Sequence, residues 1–421
     1  FPGLKLFSSA DGNNRGFGER DGVGYTVTDN TLFSVNSLGT QTALGTIEGS
    51  GRCSFAEDEV GNLVIATGEG KPYSYDGSNL THGTDADLPN ASTVTYINRR
   101  VVYDGVGGDV VFADLSDPLV VNSANVMIAE AKPDNTLAVH AYKQQVYVFG
   151  VKSIQPAYNS GVGNPPYDFI TNATQEVGLN AIHSIANNRN YTYFLGSDLN
   201  FYQLSALDSR PISNPAIGQE VANYSETSDC FGVCFTLDSM NFYLVSFPTA
   251  GKTWIFNEQS ALWTSLSYGI DSQHLINGYR FLYGKHLVTD RLSGNIYELD
   301  FETYTDNGET IHRRRDTVSI NGSTFGAPGN EVFMSKLGLV IQPGASLVTD
   351  IGTVIMEFSD DNGRSWSTEM WETIGEQGDY EVVLEWHQLG MFRNRMFRFS
   401  MSDPIKWVLV SAYADVELSS G

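Results

Sequence analysis

The 421-residue chain reads as all-β: a β-propeller of about seven blades, with six or eight as the alternatives, followed by a C-terminal β-sandwich. Three observations predict this. An aromatic-rich phrase recurs with a period near ~40 residues through the first part of the chain, the repeat expected of propeller blades. Helical periodicity is almost absent. After Asp300 the phrase stops, and longer strand patterns begin at Val332.

The phrase is a short apolar strand, a polar turn, and a second strand rich in aromatics that often ends on Asp or Asn. The second strands read TLFSVN, PYSYDG, VVFADL, IQPAYN, NFYQLS, TWIFNE and IYELDF. The position after the last apolar residue of each is Asn36, Asp76, Asp114, Asn159, Ser205, Asn257 and Asp300. These spacings match four short strands and their turns. One blade cannot bury both of its faces, so neighbours have to stack radially. Within GYTVTDNTLFSV, Tyr25 and Val27 share a face, Thr26 takes the other, and Asp29-Asn30 makes the turn. QVYVFG and NFYLVSF are apolar on both faces, as strands covered on both sides have to be. The propeller is expected over 23–302, after an N-terminal segment 1–22 whose upstream leader is expected to be missing. A tandem array of β-sandwiches is the architectural alternative.

Residues 303–331 are polar, with Gly and Pro, and read as a connecting segment that leaves the propeller and can carry an edge strand. From Val332 the strands VFMSKLGLVIQ, TVIMEFSDD, YEVVLEWHQL, NRMFRFSMS and KWVLVSAYADVEL predict a separate antiparallel sandwich over 332–421.

Within that sandwich, SDDNGRSW (Ser359 to Trp366) fits Ser-x-Asp-x-Gly-x-Ser/Thr-Trp, the Asp-box hairpin of sialidases and other propellers. Ser359, Asp361, Gly363 and Trp366 are its signature positions. Asp360 and Asp361 are placed to accept from turn N–H groups, Gly363 supplies a positive φ, and Trp366 folds over the hairpin. These roles are structural. A sialidase also needs further boxes, three arginines gathering a carboxylate, and a Tyr–Glu pair. One box is present, outside the repeat, so no catalytic residue is assigned.

Other chemistry is sparse. There is no phosphate-binding loop, no dinucleotide loop followed by a helix, and no nucleophile elbow. Three cysteines cannot make a disulfide framework, and Cys230 and Cys234 read as small buried hydrophobes. The seven histidines are scattered, so neither a metal site nor a cofactor site is assigned. No apolar run reaches the ~18 residues of a membrane span. With 25 basic and 49 acidic residues, the net charge of −24 disfavours binding to nucleic acid or anionic lipid. Against that background two basic clusters stand out: Arg313, Arg314 and Arg315 in HRRRD, and Arg393, Arg395 and Arg398 in FRNRMFRF. In an extended segment Arg393 and Arg395 share a face opposite Arg398. They read either as local pairs with acids such as Asp316 or as contacts to an acidic neighbouring subunit.

The order of several stretches carries a resemblance. FPG at Phe1, GSGRCSFA at Gly49, YSYDG at Tyr73, AKPDN at Ala131, VYVFGVKSIQPAYNSG at Val146, the SDDNGRSW hairpin and WHQLGMFRNRMFRF occur in sequence. Together they resemble the packaged-DNA-stabilisation proteins of short-tailed phages, also called tail hub or nozzle proteins. That resemblance implies a non-catalytic virion tail protein, made in the host cytoplasm. It implies a homo-oligomeric ring of six copies below the portal and adaptor, extending the DNA channel. It also implies docking of tail needle, plug, fibre or spike proteins, with no cofactor and no membrane. Retention of DNA without tight direct binding follows from the acidity. A carbohydrate-binding or glycan-hydrolysing propeller of the tail is the alternative, and a general propeller interaction platform is the third reading.

Overall fold

The computed structural model describes residues 1–129, 134–170, 172–342, 352–374 and 382–419. Residues 131–133 of the AKPDN stretch lie outside them. Among the described residues, seven sheets of four or more strands make up the propeller. The innermost strands are Asn14–Arg20, Ser54–Glu57, Val94–Ile97, Thr136–Tyr142, Ala186–Asn187, Phe231–Leu237 and Ile276–Leu282. The only α-helix among the described residues, Pro215–Ala222, lies between the fifth and sixth blades and is capped by Asn214, whose side chain accepts from the Ile217 amide. Among the described residues no helix is long and apolar enough to cross a membrane.

The repeated phrase of the sequence is the third strand of each blade: Thr31–Val35, Tyr73–Tyr75, Asp109–Phe112, Ile154–Asn159, Phe201–Ser205, Lys252–Asn257 and Ile296–Asp300. The closing Asn or Asp recurs because its side chain turns the chain out of that strand. Asn36 Oδ1 accepts from the Leu38 amide at 3.0 Å, Asp76 from Ser78 at 2.7 Å, and Asp114 from Ser116 at 3.1 Å. Asn159, Asn257 and Asp300 do the same with Gly161, Gln259 and Glu302. A carboxylate or amide that bonds the backbone two residues on mimics a turn. Ser205 departs from this; the chain turns there through Ala206 at φ 51° and pairs again at Asp208, opposite Ser205.

The second strands explain why the blades need each other. In Leu63–Ala66, Leu63 and Ile65 join the cluster with the first blade, and Val64 and Ala66 join the cluster with the third. In Gln145–Gly150, Val146 and Val148 face the third blade while Tyr147 and Phe149 face the fifth. Side chains alternate across a strand, so a run apolar at every position buries two faces. Aromatic pairs join neighbouring blades: Tyr25 with Tyr75 at 5.7 Å, Phe112 with Tyr167 at 4.7 Å, Phe149 with Phe194 at 5.3 Å, Tyr193 with Tyr243 at 4.9 Å and Phe235 with Tyr279 at 5.4 Å. Phe17 and Val35 meet Leu282, Leu287 and Ile296, so the last blade packs on the first.

The expectation that 1–22 precedes the propeller is corrected. Gly3–Ser8 is the fourth strand of the last blade, and Asn14–Arg20 is the inner strand of the first. NRGFGER lacks an apolar pattern because an inner strand needs room rather than bulk. A Cβ on Gly16 or Gly18 would meet the Phe55 ring at 2.7 or 2.6 Å.

The sandwich is a second unit. One sheet runs Arg313–Asp316, Asn394–Met401, Thr353–Ser359, Met370–Thr373, with Ile320–Asn321 also on Asn394–Met401. The other runs Val382–Phe392, Val332–Gln342, Val408–Leu418. Met334, Leu339, Met356, Trp386, Phe397 and Phe399 fill its core. The predicted long strands are present, but the connecting segment 303–331 is not a plain linker, since Arg313–Asp316 opens a sandwich sheet. Its RRRD sequence hides that role, because both its neighbour and its exposed edge accept charge.

The two-faced burial sets an expected outcome. Phe149→Ala should cost about 3–5 kcal/mol, read as a fall in the urea midpoint, because Phe149 is 0 % exposed between two blades. Leu38→Ala, at 86 % exposed, should stay within about 0.5 kcal/mol of the parent.

Candidate functional site

The Asp-box hairpin is satisfied from within. Asp361 Oδ1 accepts from the amides of Arg364 and Ser365, both at 2.9 Å, and Oδ2 accepts from the Ser365 hydroxyl at 2.6 Å. Ser359 Oγ donates to Asp361 Oδ1 and accepts from the Gly363 amide, both at 2.8 Å. Gly363 takes φ 84°, as its signature position requires. The Ser365 hydroxyl and amide, the Ser359 hydroxyl and the Arg364 amide hold the Asp361 carboxyl far below the usual carboxylate range. Nothing in this arrangement activates a nucleophile or poises an acid.

Asp360 takes a different part from the one expected of it. Its carboxylate receives Arg395 in a bidentate pair, Nε to Oδ1 at 2.6 Å and Nη2 to Oδ2 at 2.7 Å. Arg395 also donates to the Leu389 carbonyl, and its guanidinium lies 3.9 Å from the Phe358 ring centroid and 4.4 Å from that of Phe392. On the opposite face of the same strand, Arg398 stacks 3.6 Å over Trp366 and pairs with Asp316 through two bonds of 3.1 Å. Arg314 makes two more bonds to Asp316, each 3.0 Å. Burial pushes the Asp316 carboxyl up, but the two guanidiniums outweigh it and the group sits below its ordinary range. Arg313 donates to the carbonyls of Asp403 and Ile405, both at 3.0 Å.

The six arginines are therefore not one patch. Arg313, Arg395 and Arg398 hold the sandwich together. Arg393 and Arg395 do not share an environment: Arg393 sits in the bend after Val382–Phe392, which breaks strand alternation. The Arg393 side chain is 81 % exposed against 4 % for Arg395. Arg393 pairs with Glu331 at 3.1 Å. Arg314 and Arg315 are exposed, and Arg315 has no polar partner among the described residues.

Sequence reasoning passed over a second feature. The seven inner strands enclose a central cavity of about 490 Å³. Arg52, His140, His183 and Arg280 line it, with Glu57 and Cys234. Arg52 stands in the quoted GSGRCSFA stretch, and its only sequence signal is a lone cation between a Gly/Ser turn and a strand. The cysteines are free, Cys53 and Cys230 being buried. Among the described residues no group of three His, Cys, Asp or Glu side chains could hold a metal ion.

Two outcomes follow for the hairpin and its arginine. Arg395→Ala should cost about 3 kcal/mol in denaturant unfolding, since it strands Asp360 and empties the space between two rings. Arg393→Ala should change stability by less than about 0.5 kcal/mol. The Asp361 carboxyl is depressed in the fold, so its contribution is present above the unfolded value near ~4 and is lost as pH falls below it. Asp361→Ala should lower the melting temperature at neutral pH, with the gap from the parent closing as pH falls from about 5 to about 2.

No curated protein sequence matches the chain. Among solved structures it is similar to the WD40 beta propeller domain of Doa1, at 11% identity over 71% of this chain and 97% of that one, TM-score 0.46. It is also similar to the Cps50 (Swd1) beta-propeller domain of Myceliophteria thermophila, at 9% identity over 70% of this chain and 98% of that one, TM-score 0.48. Family models give the decisive result. The model described as Bacteriophage P22 Gp10, beta-propeller, matches residues 1–304, and the one described as Bacteriophage P22 Gp10, beta-sandwich, matches 319–417. With both models matched in chain order, each over its own architecture, the chain belongs to the P22 Gp10 family, the structural tail hub or nozzle proteins of short-tailed phages.

Proposed function

We propose that six copies of this chain assemble into a ring in the virion tail, below the portal and its adaptor, where the ring extends the DNA channel and keeps packaged DNA in place until ejection. Membership of the tail hub family across both units is the observation that carries this reading. The same reading gives the ring a docking surface for a needle, plug, fibre or spike protein.

Charge supports retention by closure rather than by adhesion. Binding to duplex neutralises phosphates with Lys and Arg and gains from counterion release. This chain has 25 such residues against 49 acids. A ring of six carries a charge on the order of −140, which repels a polyanion at short range. A wall of that sign lets DNA slide, and a plug then supplies the seal. The exposed cations Arg315 and Arg393 are the candidates for contacts to an acidic neighbouring copy, since Arg313, Arg395 and Arg398 are already used inside the sandwich. The carbohydrate reading rests on the Asp box, whose Asp361 carboxylate is spent on its own turn and whose Asp360 is spent on Arg395.

Electron microscopy of the purified protein with its adaptor-side partner tests the proposal: six-fold rings are expected, and particles that stay monomeric contradict it. The double charge reversal Arg315→Glu, Arg393→Glu should reduce ring formation while leaving the melting temperature within a few degrees of the parent. A mobility-shift assay at physiological salt should show no duplex-DNA binding up to tens of micromolar, an order-of-magnitude ceiling from typical non-specific affinities. Particles lacking the protein should package DNA and then lose it.

A further inference from the structure

We propose that the cavity at the centre of the propeller is a binding site for a small oxyanion, a phosphate or a dicarboxylate, held by Arg52 and Arg280. The cavity reverses the sign of the molecule around it. The chain carries nearly two acids for each base, yet two arginines line this space against one carboxylate, Glu57, whose Oε1 accepts from the Asp21 amide at 2.9 Å.

Both guanidiniums are short of partners. A guanidinium has five N–H donors and no acceptor. Arg15, buried in the propeller where Arg52 and Arg280 are half-buried, shows what full satisfaction looks like. It reaches the carbonyls of Gly51 at 2.7 Å, Asp29 and Ile47 at 3.0 Å and Glu48 at 3.3 Å. Among the described residues Arg280 makes one bond, Nη1 to the Tyr279 carbonyl at 2.8 Å. Arg52 spends both terminal nitrogens on Asn277 and lies 4.1 Å from the Phe231 ring centroid. Among the described residues neither arginine forms an ion pair; the Glu19 carboxylate acts on Arg280 only from a distance. Burial lowers both guanidiniums, Arg52 to about 10, so each remains charged at neutral pH. A charge partly withdrawn from water is favoured by a partner. Among the described residues no carboxylate pairs with either guanidinium, although Glu57 lines the same cavity.

The geometry supplies room and further donors. Arg52 and Arg280 line one space together with His140 and His183. Gly16, Ala141, Gly232 and Gly278 keep the wall thin, and the volume falls in the range of small-ligand sites, roughly 300–1,000 Å³. Burial holds His140 and His183 at about 4 and about 3, so both imidazoles are neutral near pH 7 and each offers one N–H. Among the described residues His140 Nε2 has no hydrogen-bond partner. An anion here would neutralise the space onto which all seven inner strands open, and would stabilise the folded propeller by mass action.

The test is calorimetric titration of the full chain with inorganic phosphate and, separately, with succinate, in a chloride-free buffer of low ionic strength. One site per chain is expected, weakened at least ten-fold in Arg280→Gln and unchanged in Arg315→Gln. The melting temperature of the parent should rise by about 3 °C or more at ligand a hundred-fold above its dissociation constant. Tighter phosphate assigns the phosphate class, and tighter succinate the dicarboxylate class. Should Arg280→Gln fail to fold, the parent protein decides the matter through phenylglyoxal labelling followed by mass spectrometry. Phosphate or succinate should then slow adduct formation at Arg280 several-fold. No saturable binding of either anion up to about 10 mM, equal affinity in folded Arg280→Gln, or equal labelling rates would overturn the proposal.

Discussion

Strands that are apolar on both faces cannot end a stack, and the propeller depends on this constraint. A second strand such as Leu63–Ala66 or Gln145–Gly150 leaves a greasy surface on each side, and each surface needs another blade. A linear array would leave two such surfaces in water. Closing seven sheets into a ring removes both, with Phe17 and Val35 of the first blade packed on Leu282, Leu287 and Ile296 of the last. The closing strand, Gly3–Ser8, completes the last blade from the opposite end of the sequence, so the ring is fastened by pairing between distant parts of the chain. Glycines in the first inner strand follow from the stacking of the second blade on it, because the Phe55 ring occupies the space that side chains would need.

Ring closure also creates the space at the centre. Inner strands converge but cannot interpenetrate, so their edges surround a cavity whose chemistry is set by the few side chains that turn inward. In this protein those are mostly small, with two arginines and two neutral imidazoles among them. The chain as a whole has the opposite character: acids outnumber bases, and several basic residues of the sandwich are tied up, Arg395 by Asp360 and two aromatic rings, Arg398 by Asp316 and Trp366.

In the Asp box the Asp361 carboxylate is consumed by four backbone and hydroxyl donors of its own turn, which fixes a hairpin. A motif shared with glycosidases is thus shared as a turn.

What the sequence by itself determined is local and periodic. The blade repeat, the third strand of each blade, the Asx turns that end most of them, the long strands of the sandwich and the Asp-box hairpin are all written in runs of a few residues. Each depends on alternation or on a side chain bonding its own backbone, and such interactions reach no further than neighbouring positions. Tertiary structure alone decided the rest. Gly3–Ser8 became a propeller strand, and Arg313–Asp316 a sandwich strand, through partners far along the chain, while the glycines of Asn14–Arg20, paired with the adjacent Val23–Thr28, make room for the Phe55 ring of the next blade. Arg393 and Arg395, two positions apart, were separated into an exposed and a buried cation by a bend and by the distant Asp360. Arg52 and Arg280 came to line one cavity only because seven blades close. Burial and pairing are properties of what surrounds a residue, and in a ring-closed β fold those surroundings are assembled from across the whole sequence.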